Sequence, residues 1–303
     1  MQAPFFVTGF QRSGTTLLRL MLDSHPDVAI PLDVTGLWSR YAERLDQYDN
    51  LQSDDGIRRL IADLLQEERI RLWQVPLEAE AIEASLEARD YPGVIAAFYG
   101  AYAAAKGKTR WGDKDPGNMR RLHEIFRWFP GARVVHIIRD GRDACLSQLK
   151  QEFGHRDVLP CAADWREQVW WVRSIGEILG PARYHELRYE DLVAAPEDRL
   201  REVCAFLDLE YHPAMLEYHR RTADAIPDSK RHIWQMIDKP PVATNTGLWR
   251  REFSPALRVC FEKRAGDVLR ACGYETLPRA QGAYLEEVKL MSRRALRAVR
   301  QRL

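Results

Sequence analysis

The chain has 303 residues, and its 45 lysines and arginines nearly balance its 44 aspartates and glutamates. This balance excludes a protein that attracts nucleic acid or an anionic membrane through its overall charge, so such a partner would need a local patch. The five cysteines, at positions 145, 161, 204, 260 and 272, form no C-x-x-C pair, which favours a reducing compartment over a disulfide framework or a structural zinc site. The first strand begins close to the N-terminus, so we expect a soluble, cytoplasmic protein without a leader or anchor.

The first predicted elements are a strand, a turn and a helix. Residues 5–7 are apolar and predict the strand, Gly9 predicts the turn, and the apolar spacing of residues 17–22 predicts the helix. A strand that turns directly into a helix N-terminus is a common phosphate site, because the first N–H groups of a helix have no helical partner.

The residues of this turn predict the kind of anion that it binds. Gly9 and Gly14 have the spacing of the nucleoside-triphosphate loop G-x-x-x-x-G-K-[ST], but Thr15 occupies the position of the lysine. Arg12 provides a cation inside the loop instead. Backbone N–H groups and hydroxyls can hold a phosphate there while Arg12 neutralises an adjacent anion. The candidate ligands are Arg12, Ser13, Gly14, Thr15 and Thr16.

Residues 36–106 are predicted to be mostly helical. Apolar residues recur at helical spacing in residues 56–73 and 77–106, with breaks at Pro76 and at Pro92. We interpret this stretch as a helical cap over a nucleotide-binding domain that shapes the pocket of a second substrate.

Three further strands are predicted, at residues 109–114, 133–138 and 182–189. Helices separate them, and strands that alternate with helices imply a parallel sheet whose ligand lies at the carboxyl ends of the strands. We therefore expect one α/β domain over residues 1–303, with a P-loop-like three-layer fold and a mainly parallel central sheet flanked by helices. The remaining predicted helices are residues 141–150, 164–179, 197–207, 213–222 and 255–271, and residues 225–245 are expected to form a long functional loop.

A second phosphate site is predicted after the strand at residues 133–138. Arg139 ends that strand and Ser147 lies eight residues later on the next helix, so a guanidinium and a hydroxyl can bind one phosphate. Arg142 and Asp143 lie between them and are expected to form ordinary surface ion pairs.

At these residues the chain resembles the sulfotransferases that use 3′-phosphoadenosine 5′-phosphosulfate (PAPS). The run R-S-G-T-T at residues 12–16 matches the first signature of that family. The run L-D-S-H-P-D-V at residues 22–28 is similar to the protein-tyrosine sulfotransferases and their bacterial relatives. The resemblance covers most of residues 5–255 and implies PAPS as sulfuryl donor, 3′,5′-adenosine bisphosphate (PAP) as product, and transfer to a hydroxyl.

The resemblance also implies individual roles. Arg12 would stabilise the leaving group, Arg139 and Ser147 would bind the 3′-phosphate, and Tyr189 would lie beside the adenine. Lys114, in W-G-D-K-D-P, matches the lysine of the family's K-D-P element and would face the sulfuryl oxygens. Without the resemblance, Tyr189 would be assigned to core packing. The structural alternative for Lys114 is a salt bridge to Asp113 or Asp115.

The candidate base that accepts the hydroxyl proton is Asp33. The tyrosine enzymes and many bacterial relatives carry a glutamate at this position, and a desolvated carboxylate can accept a proton. His25 precedes a proline at a helix end and is typical of a turn or cap. His136 lies inside a buried strand and is expected to be a core histidine.

The C-terminal nucleotide-binding element departs from the family pattern. Residues 247–249 resemble its G-x-W run, but residues 242–244 lack the basic R-K-G turn. Lys239, Arg250 or Arg251 could supply the missing positive charge.

The expected partner is a hydroxyl-bearing acceptor, which is a small molecule, a lipid, a glycan or a peptide tyrosine; no nucleic acid and no metal are expected. Residues 281–303 predict a basic amphipathic helix that either packs on the protein or contacts a membrane or an acidic partner. Protein-tyrosine sulfation is the specific alternative, and an ATP-dependent P-loop kinase or a non-catalytic nucleotide-binding protein are the more distant ones.

Overall fold

The computed structural model describes residues 3–31, 37–151, 154–222 and 245–276. Within these ranges the central element is a parallel sheet of five strands in the order β2-β3-β1-β4-β5. This confirms the expected α/β class with a parallel sheet. The strands are β1 (Phe5–Thr8), β2 (Val28–Ala29), β3 (Arg110–Lys114), β4 (Arg133–Ile138) and β5 (Tyr184–Arg188).

The register of the strands brings their carboxyl ends to one edge of the sheet. Val7 of β1 pairs with Lys114 of β3 on one side and with Val135 of β4 on the other. Ile138, the last residue of β4, pairs with Arg188, the last residue of β5. The segments that follow β1, β3, β4 and β5 therefore begin beside one another.

Helices connect the strands, and several begin at a polar residue that caps them. Ser53, Asp90, Asp140, Asp157 and Ser254 each accept a hydrogen bond from a backbone N–H in the first turn, which satisfies a group that the helix leaves unpaired. The α-helices are α1 (Thr15–Asp23), α2 (Leu37–Arg40), α3 (Asp54–Gln66), α4 (Glu68–Arg71), α5 (Ala79–Ala84), α6 (Tyr91–Ala105), α7 (Leu122–Trp128), α8 (Gly141–Leu149), α9 (Val158–Leu179), α10 (Tyr189–Ala194), α11 (Pro196–Phe206), α12 (Tyr218–Thr222), α13 (Trp249–Glu252) and α14 (Pro255–Ala271), and the 3₁₀ helices are Ala42–Leu51, Pro116–Arg120 and Pro213–Met215.

Alternating strand residues face two helical layers. Phe5 and Val7 of β1 pack into a core with α1, α10 and α11, whereas Phe6 between them packs into a second core on the other face. That second core includes residues of α3, α6 and α7, and a third core joins Ile138 to α8, α9 and α14. The chain thus has three layers, because every second side chain of a strand points to the opposite face.

Residues 37–105 are mostly helical, as the sequence predicts, and they pack on one face of the sheet. Trp38 stacks on Tyr99, and Tyr99 stacks on Trp111 of β3 with ring centroids 4.8 Å apart. Asp113 of β3 lies under these rings and accepts hydrogen bonds from Trp38 Nε1, Tyr99 OH and Asn118 Nδ2. The tryptophans at 38, 73 and 165 are all buried. The role of this region as a cap that shapes an acceptor pocket, and the single-domain organisation, stay predictions.

Some boundaries differ from the sequence prediction. Helix α9 begins at Val158 rather than at residue 164, because Asp157 caps it. Tyr189 begins α10 instead of ending β5, and residues 213–222 form a 3₁₀ turn followed by the short α12. No helix in the described ranges is long and apolar enough to cross a membrane.

The substitution Gly112→Ala should destabilise the fold by overpacking β3 against β1. A Cβ at residue 112 would lie 2.5 Å from Phe5 Cζ and 2.7 Å from its Cε2, and Phe5 is fully buried. We expect a loss of about 1–3 kcal/mol in the free energy of unfolding, measured by urea titration. Gly131→Ala is the control, since its Cβ would meet only Ala3 near the chain terminus, and a loss below about 0.5 kcal/mol is expected. Equal losses in the two variants would contradict the packing.

Candidate active site

The turn after β1 forms the floor of the site. Gly14 has a φ of 94° and caps α1, a left-handed conformation that favours glycine. A Cβ there would lie 2.5 Å from Tyr189 Cδ2, so the absence of a side chain lets the aromatic ring approach the loop. The N–H of Ser13 donates to Phe10 O at 3.0 Å and closes the turn. The N–H groups at the start of α1 thus lie at the carboxyl edge of the sheet, where an anion can bind them.

Arg12 extends from this turn to α8. Its Nε donates a hydrogen bond to Ser147 Oγ at 3.0 Å, which joins two residues that the sequence assigned to separate phosphates. Burial lowers the pKa of the Arg12 guanidinium, and the positive charge of Arg139 lowers it further. Two guanidiniums therefore share a partly buried region, and an anion would relieve their mutual repulsion.

Arg139 connects three segments of the site. Its Nη1 donates to Arg12 O at 3.0 Å and its Nη2 donates to Asn245 O at 2.5 Å. Its guanidinium lies over the Tyr189 ring, 4.7 Å from the centroid. Arg139 is only 8% exposed. It is held by the phosphate loop through Arg12 O, by the C-terminal segment through Asn245 O, and by the ring of Tyr189.

Two buried polar atoms at this position have no hydrogen-bond partner among the described residues: Ser13 Oγ and Arg139 Nε. Buried donors without a partner are costly, and a ligand with several acceptor oxygens beside the two guanidiniums would satisfy these two atoms. A phosphate or sulfate group has this chemistry, and the residues present therefore fit an anionic nucleotide.

Tyr189 lies where α10 begins and is 7% exposed. Burial raises the pKa of its hydroxyl, whereas the positive charge of Arg139 lowers it. Its ring contacts the loop at Gly14 and belongs to the core around α1. Tyr189 is therefore a core residue that lies beside the phosphate loop, and its predicted contact with the adenine stays a prediction.

Lys114 ends β3 and is 4% exposed. Asp113, its neighbour, points to the opposite face of the sheet and is already hydrogen-bonded to three neutral donors. Burial raises the pKa of Asp113. Asp115 accepts the N–H of Gly117 at 2.7 Å and caps the following 3₁₀ helix. Lys114 pairs with Val7 of β1 in the sheet, so it lies beside the end of β1, where the phosphate loop begins.

The sulfotransferase family model matches residues 4–213. This chain belongs to the sulfotransferase family. It is 27% identical over 236 residues to a protein-tyrosine sulfotransferase of Drosophila melanogaster, which covers 74% of this chain and 42% of that protein. It is 28% identical over 226 residues to protein-tyrosine sulfotransferase A of Caenorhabditis elegans, which covers 72% of this chain and 53% of that protein. The chain spans about half the length of these two relatives.

A solved structure gives the same fold. The sulfotransferase domain from the Synechococcus PCC 7002 olefin synthase superposes with a TM-score of 0.62 at 23% sequence identity. The superposition covers 92% of this chain and 98% of that domain. This similarity supports the P-loop-like three-layer fold, and the family membership rests on the sequence match.

The expectation of surface ion pairs at Arg142 and Asp143 is wrong. Each residue is only 1% exposed. Arg142 forms ion pairs with Asp140 and Glu262, each at 2.7 Å, and its guanidinium lies 3.6 Å from the centroid of the Trp249 ring. Burial alone would lower the pKa of Arg142, but these two carboxylates raise it. The first turn of α8 thus carries a buried charge network that contacts the C-terminal part of the chain at Glu262 and at Glu275 O.

The sequence did not reveal this buried charge network because most residues that contact Arg142 and Asp143 are distant along the chain. Asp143 accepts the N–H groups of Gly247 and Trp249, and Glu190 accepts hydrogen bonds from Asp140 N and Tyr274 OH. Burial raises the pKa of Glu190. The available signal was the density of charge in R-D-G-R-D directly after a buried strand, where a helix start must be capped.

Arg250 lies on the outer side of Trp249. Its guanidinium is 4.6 Å from the centroid of that ring and forms an ion pair with Glu275. Arg250 is therefore close to residues 245–249, and its predicted nucleotide contact stays a prediction. Asp33, Lys239 and residues 281–303 lie outside the described residues.

The two histidines considered as bases have structural contacts. His25 Nδ1 accepts the N–H of Asp27, so its Nε2 donates to Glu210 O at 2.7 Å, as expected of a turn residue. His136 is fully buried and bonded through Nδ1 to Tyr184 OH, and burial lowers its pKa to about 3. It is a core histidine, as the sequence predicts.

Removing the charge of Arg142 should destabilise the protein strongly. Arg142→Met leaves the carboxylates of Asp140 and Glu262 without their cation in a buried region, and such a change typically costs about 3–5 kcal/mol. Arg166→Met is the matched control, because Arg166 pairs with Asp267 at the surface and a loss below about 1 kcal/mol is expected. Urea unfolding measures both, and similar losses would refute the buried network.

Proposed function

We propose that this chain transfers a sulfuryl group from PAPS to an acceptor hydroxyl. The observation that carries the proposal is the cluster of Arg12, Arg139 and Ser147 beside the phosphate loop. Ser13 Oγ and Arg139 Nε in this cluster have no hydrogen-bond partner in the part of the chain that the structure describes. A nucleotide with phosphates at both the 3′ and 5′ positions presents two anionic groups, and the cluster offers two neighbouring groups of donors.

The residues divide between these two groups. The N–H groups of residues 13–16 and the charge of Arg12 would hold the 5′ end, where the positive end of α1 adds to the attraction. Arg139 and Ser147 would hold the 3′-phosphate, and Tyr189 would contact the adenine. PAPS, when bound, supplies the sulfuryl group that the acceptor oxygen takes as the nucleotide bisphosphate leaves.

The chain's own residues would stabilise charge and accept a proton. Lys114 and Arg12 would place positive charge beside the sulfuryl oxygens and the leaving phosphate, where negative charge develops in the transition state. Charges that are already in position lower the barrier of the transfer because the protein does not have to reorganise around them. Asp33 would accept the hydroxyl proton. In the sequence, Asp33 comes four residues after the end of β2, and β2 pairs with β3 in the parallel sheet.

Two other functions fit the loop less well. An ATP-dependent kinase would be expected to carry a lysine where this chain has Thr15, and it would have no use for Arg139 and Ser147 as a second phosphate site. A non-catalytic nucleotide-binding protein would keep the loop but would not require Lys114 or Asp33.

The acceptor class is proposed from the relatives. The two relatives described above are named as protein-tyrosine sulfotransferases, so a peptide tyrosine is our first candidate. Because the chain spans about half of each, a small molecule, lipid or glycan hydroxyl is the alternative.

Nucleotide selectivity tests the donor site. We expect calorimetric titration to show tighter binding of PAP than of AMP or ATP, because Arg139 and Ser147 would bind the 3′-phosphate, which AMP and ATP lack. Arg139→Ala should reduce the affinity for PAP by a factor of ten or more, since a hydrogen bond to a charged group contributes about 1.5–3 kcal/mol. It should reduce the affinity for AMP by a smaller factor, because AMP lacks the 3′-phosphate although Arg139 also contacts Arg12 O and the Tyr189 ring. Equal or tighter binding of ATP would favour the kinase.

The role of Asp33 is tested by Asp33→Asn. An amide of the same shape cannot accept the proton, so turnover with PAPS should fall by about 10²-fold or more. The PAP affinity, measured by calorimetry, should remain that of the wild type. Loss of both properties together would assign Asp33 a structural role instead.

Activity should persist in excess EDTA. The sulfuryl group carries less charge than a terminal phosphoryl group, so Arg12 and Lys114 can neutralise it in place of a divalent cation. The test is the rate of PAP formation from PAPS before and after chelation. A strict requirement for Mg²⁺ or Mn²⁺ would contradict this assignment of charge.

A further inference from the structure

Asp143 lies in the first turn of α8, four residues after Arg139, and is 1% exposed. Its Oδ2 accepts the N–H of Gly247 at 2.6 Å and its Oδ1 accepts the N–H of Trp249 at 2.8 Å. Gly247 has a φ of 68°, so the backbone turns sharply between the two donors. Burial raises the pKa of Asp143, and the two N–H groups and the charge of Arg139 oppose that effect. One carboxylate therefore fixes a short C-terminal turn.

The same turn is held by Arg139. Its Nη2 donates to Asn245 O at 2.5 Å, two residues before Gly247, while its Nη1 donates to Arg12 O. The direction of the Arg139 guanidinium thus depends on where the Asn245 carbonyl lies. That carbonyl belongs to the segment that Asp143 fixes, so the two residues act on one piece of backbone.

We infer that Asp143 is a positioning residue for the proposed 3′-phosphate site. By holding the N–H groups of Gly247 and Trp249, it sets the position of residues 245–249 and, through Asn245 O, the direction of Arg139. This inference rests on the proposed function, because it takes Arg139 as the ligand of the 3′-phosphate. Asp143 itself touches backbone rather than the reacting groups.

If Asp143 acted only through its charge, its removal would increase the affinity for PAP, whereas a positioning role predicts a decrease. The Asp143 carboxylate is a negative charge near Arg139, so its removal without any loss of position would strengthen the attraction for a phosphate. Asp143→Asn replaces one acceptor oxygen by an NH₂ group, which cannot accept an N–H and leaves one buried backbone donor unpaired. The sign of the change in affinity therefore separates positioning from simple charge.

The experiment is calorimetric titration of PAP and AMP into the wild type, Asp143→Asn, Arg139→Ala and the double variant. We expect Asp143→Asn to weaken PAP about tenfold, which is about 1.4 kcal/mol. AMP, which lacks the 3′-phosphate, should change less than about twofold. In the Arg139→Ala background, Asp143→Asn should have no further effect on PAP, because residues that act through one another are not additive.

Asp267→Asn is the matched control. Asp267 is an exposed carboxylate on α14 that pairs with Arg166, and its loss should leave both nucleotide affinities unchanged. If Asp143→Asn does not fold, Gly247→Ala disturbs the same turn, since φ is left-handed there and a Cβ would approach only Arg250, at 3.9 Å. It should lower PAP affinity selectively as well.

The outcomes distinguish a failure of the positioning role of Asp143 from a failure of the proposed function. Equal weakening of PAP and AMP, tighter PAP binding, or additive effects in the double variant would overturn the positioning role while the proposed function stands. A wild type that does not prefer PAP over AMP would refute the proposed function before any variant is compared.

Discussion

The site depends on the position of one guanidinium. Arg139 follows the central strand β4 and donates both to the carbonyl of the phosphate loop at Arg12 and to the carbonyl of Asn245. It also lies over the ring of Tyr189, which in turn packs on Gly14. Four segments that are distant along the chain thus meet at one side chain, and a shift of any of them would change its direction.

The fold makes this meeting possible because parallel strands end at one edge. Val7 pairs with Lys114 and with Val135, so the register of the sheet makes the ends of β1, β3 and β4 neighbours. Buried charge then fixes the C-terminal part against this edge. Arg142, Asp143 and Glu190 form the contacts, and the hydrophobic cores on the two faces of the sheet support them.

The spacing of apolar residues and glycines predicted the elements that depend on neighbouring residues in the chain. The apolar run of β4 and the helix α14 were predicted with the bounds that the structure shows, and the phosphate turn was predicted from Gly9 and Gly14. The spacing after β4 predicted Arg139 and Ser147 as a phosphate site, and the resemblance added Lys114. The structure brings these residues to one edge, although their roles stay predictions. Arg142 and Asp143 were misjudged because Glu262, Gly247 and Trp249, which contact them, lie more than a hundred residues away, and no periodicity reveals such a contact. Asp33, the proposed base, lies outside the described residues and stays a prediction.

A crystal structure of the chain with PAP would show whether Arg139 and Ser147 bind the 3′-phosphate. The account predicts that the 3′-phosphate lies within hydrogen-bond distance of Arg139 and Ser147, and that the 5′-phosphate contacts the N–H groups of residues 13–16. Arg139 Nε and Ser13 Oγ, which have no partner among the described residues, should then be satisfied. A complex in which the 3′-phosphate points to solvent, away from Arg139, would contradict the account.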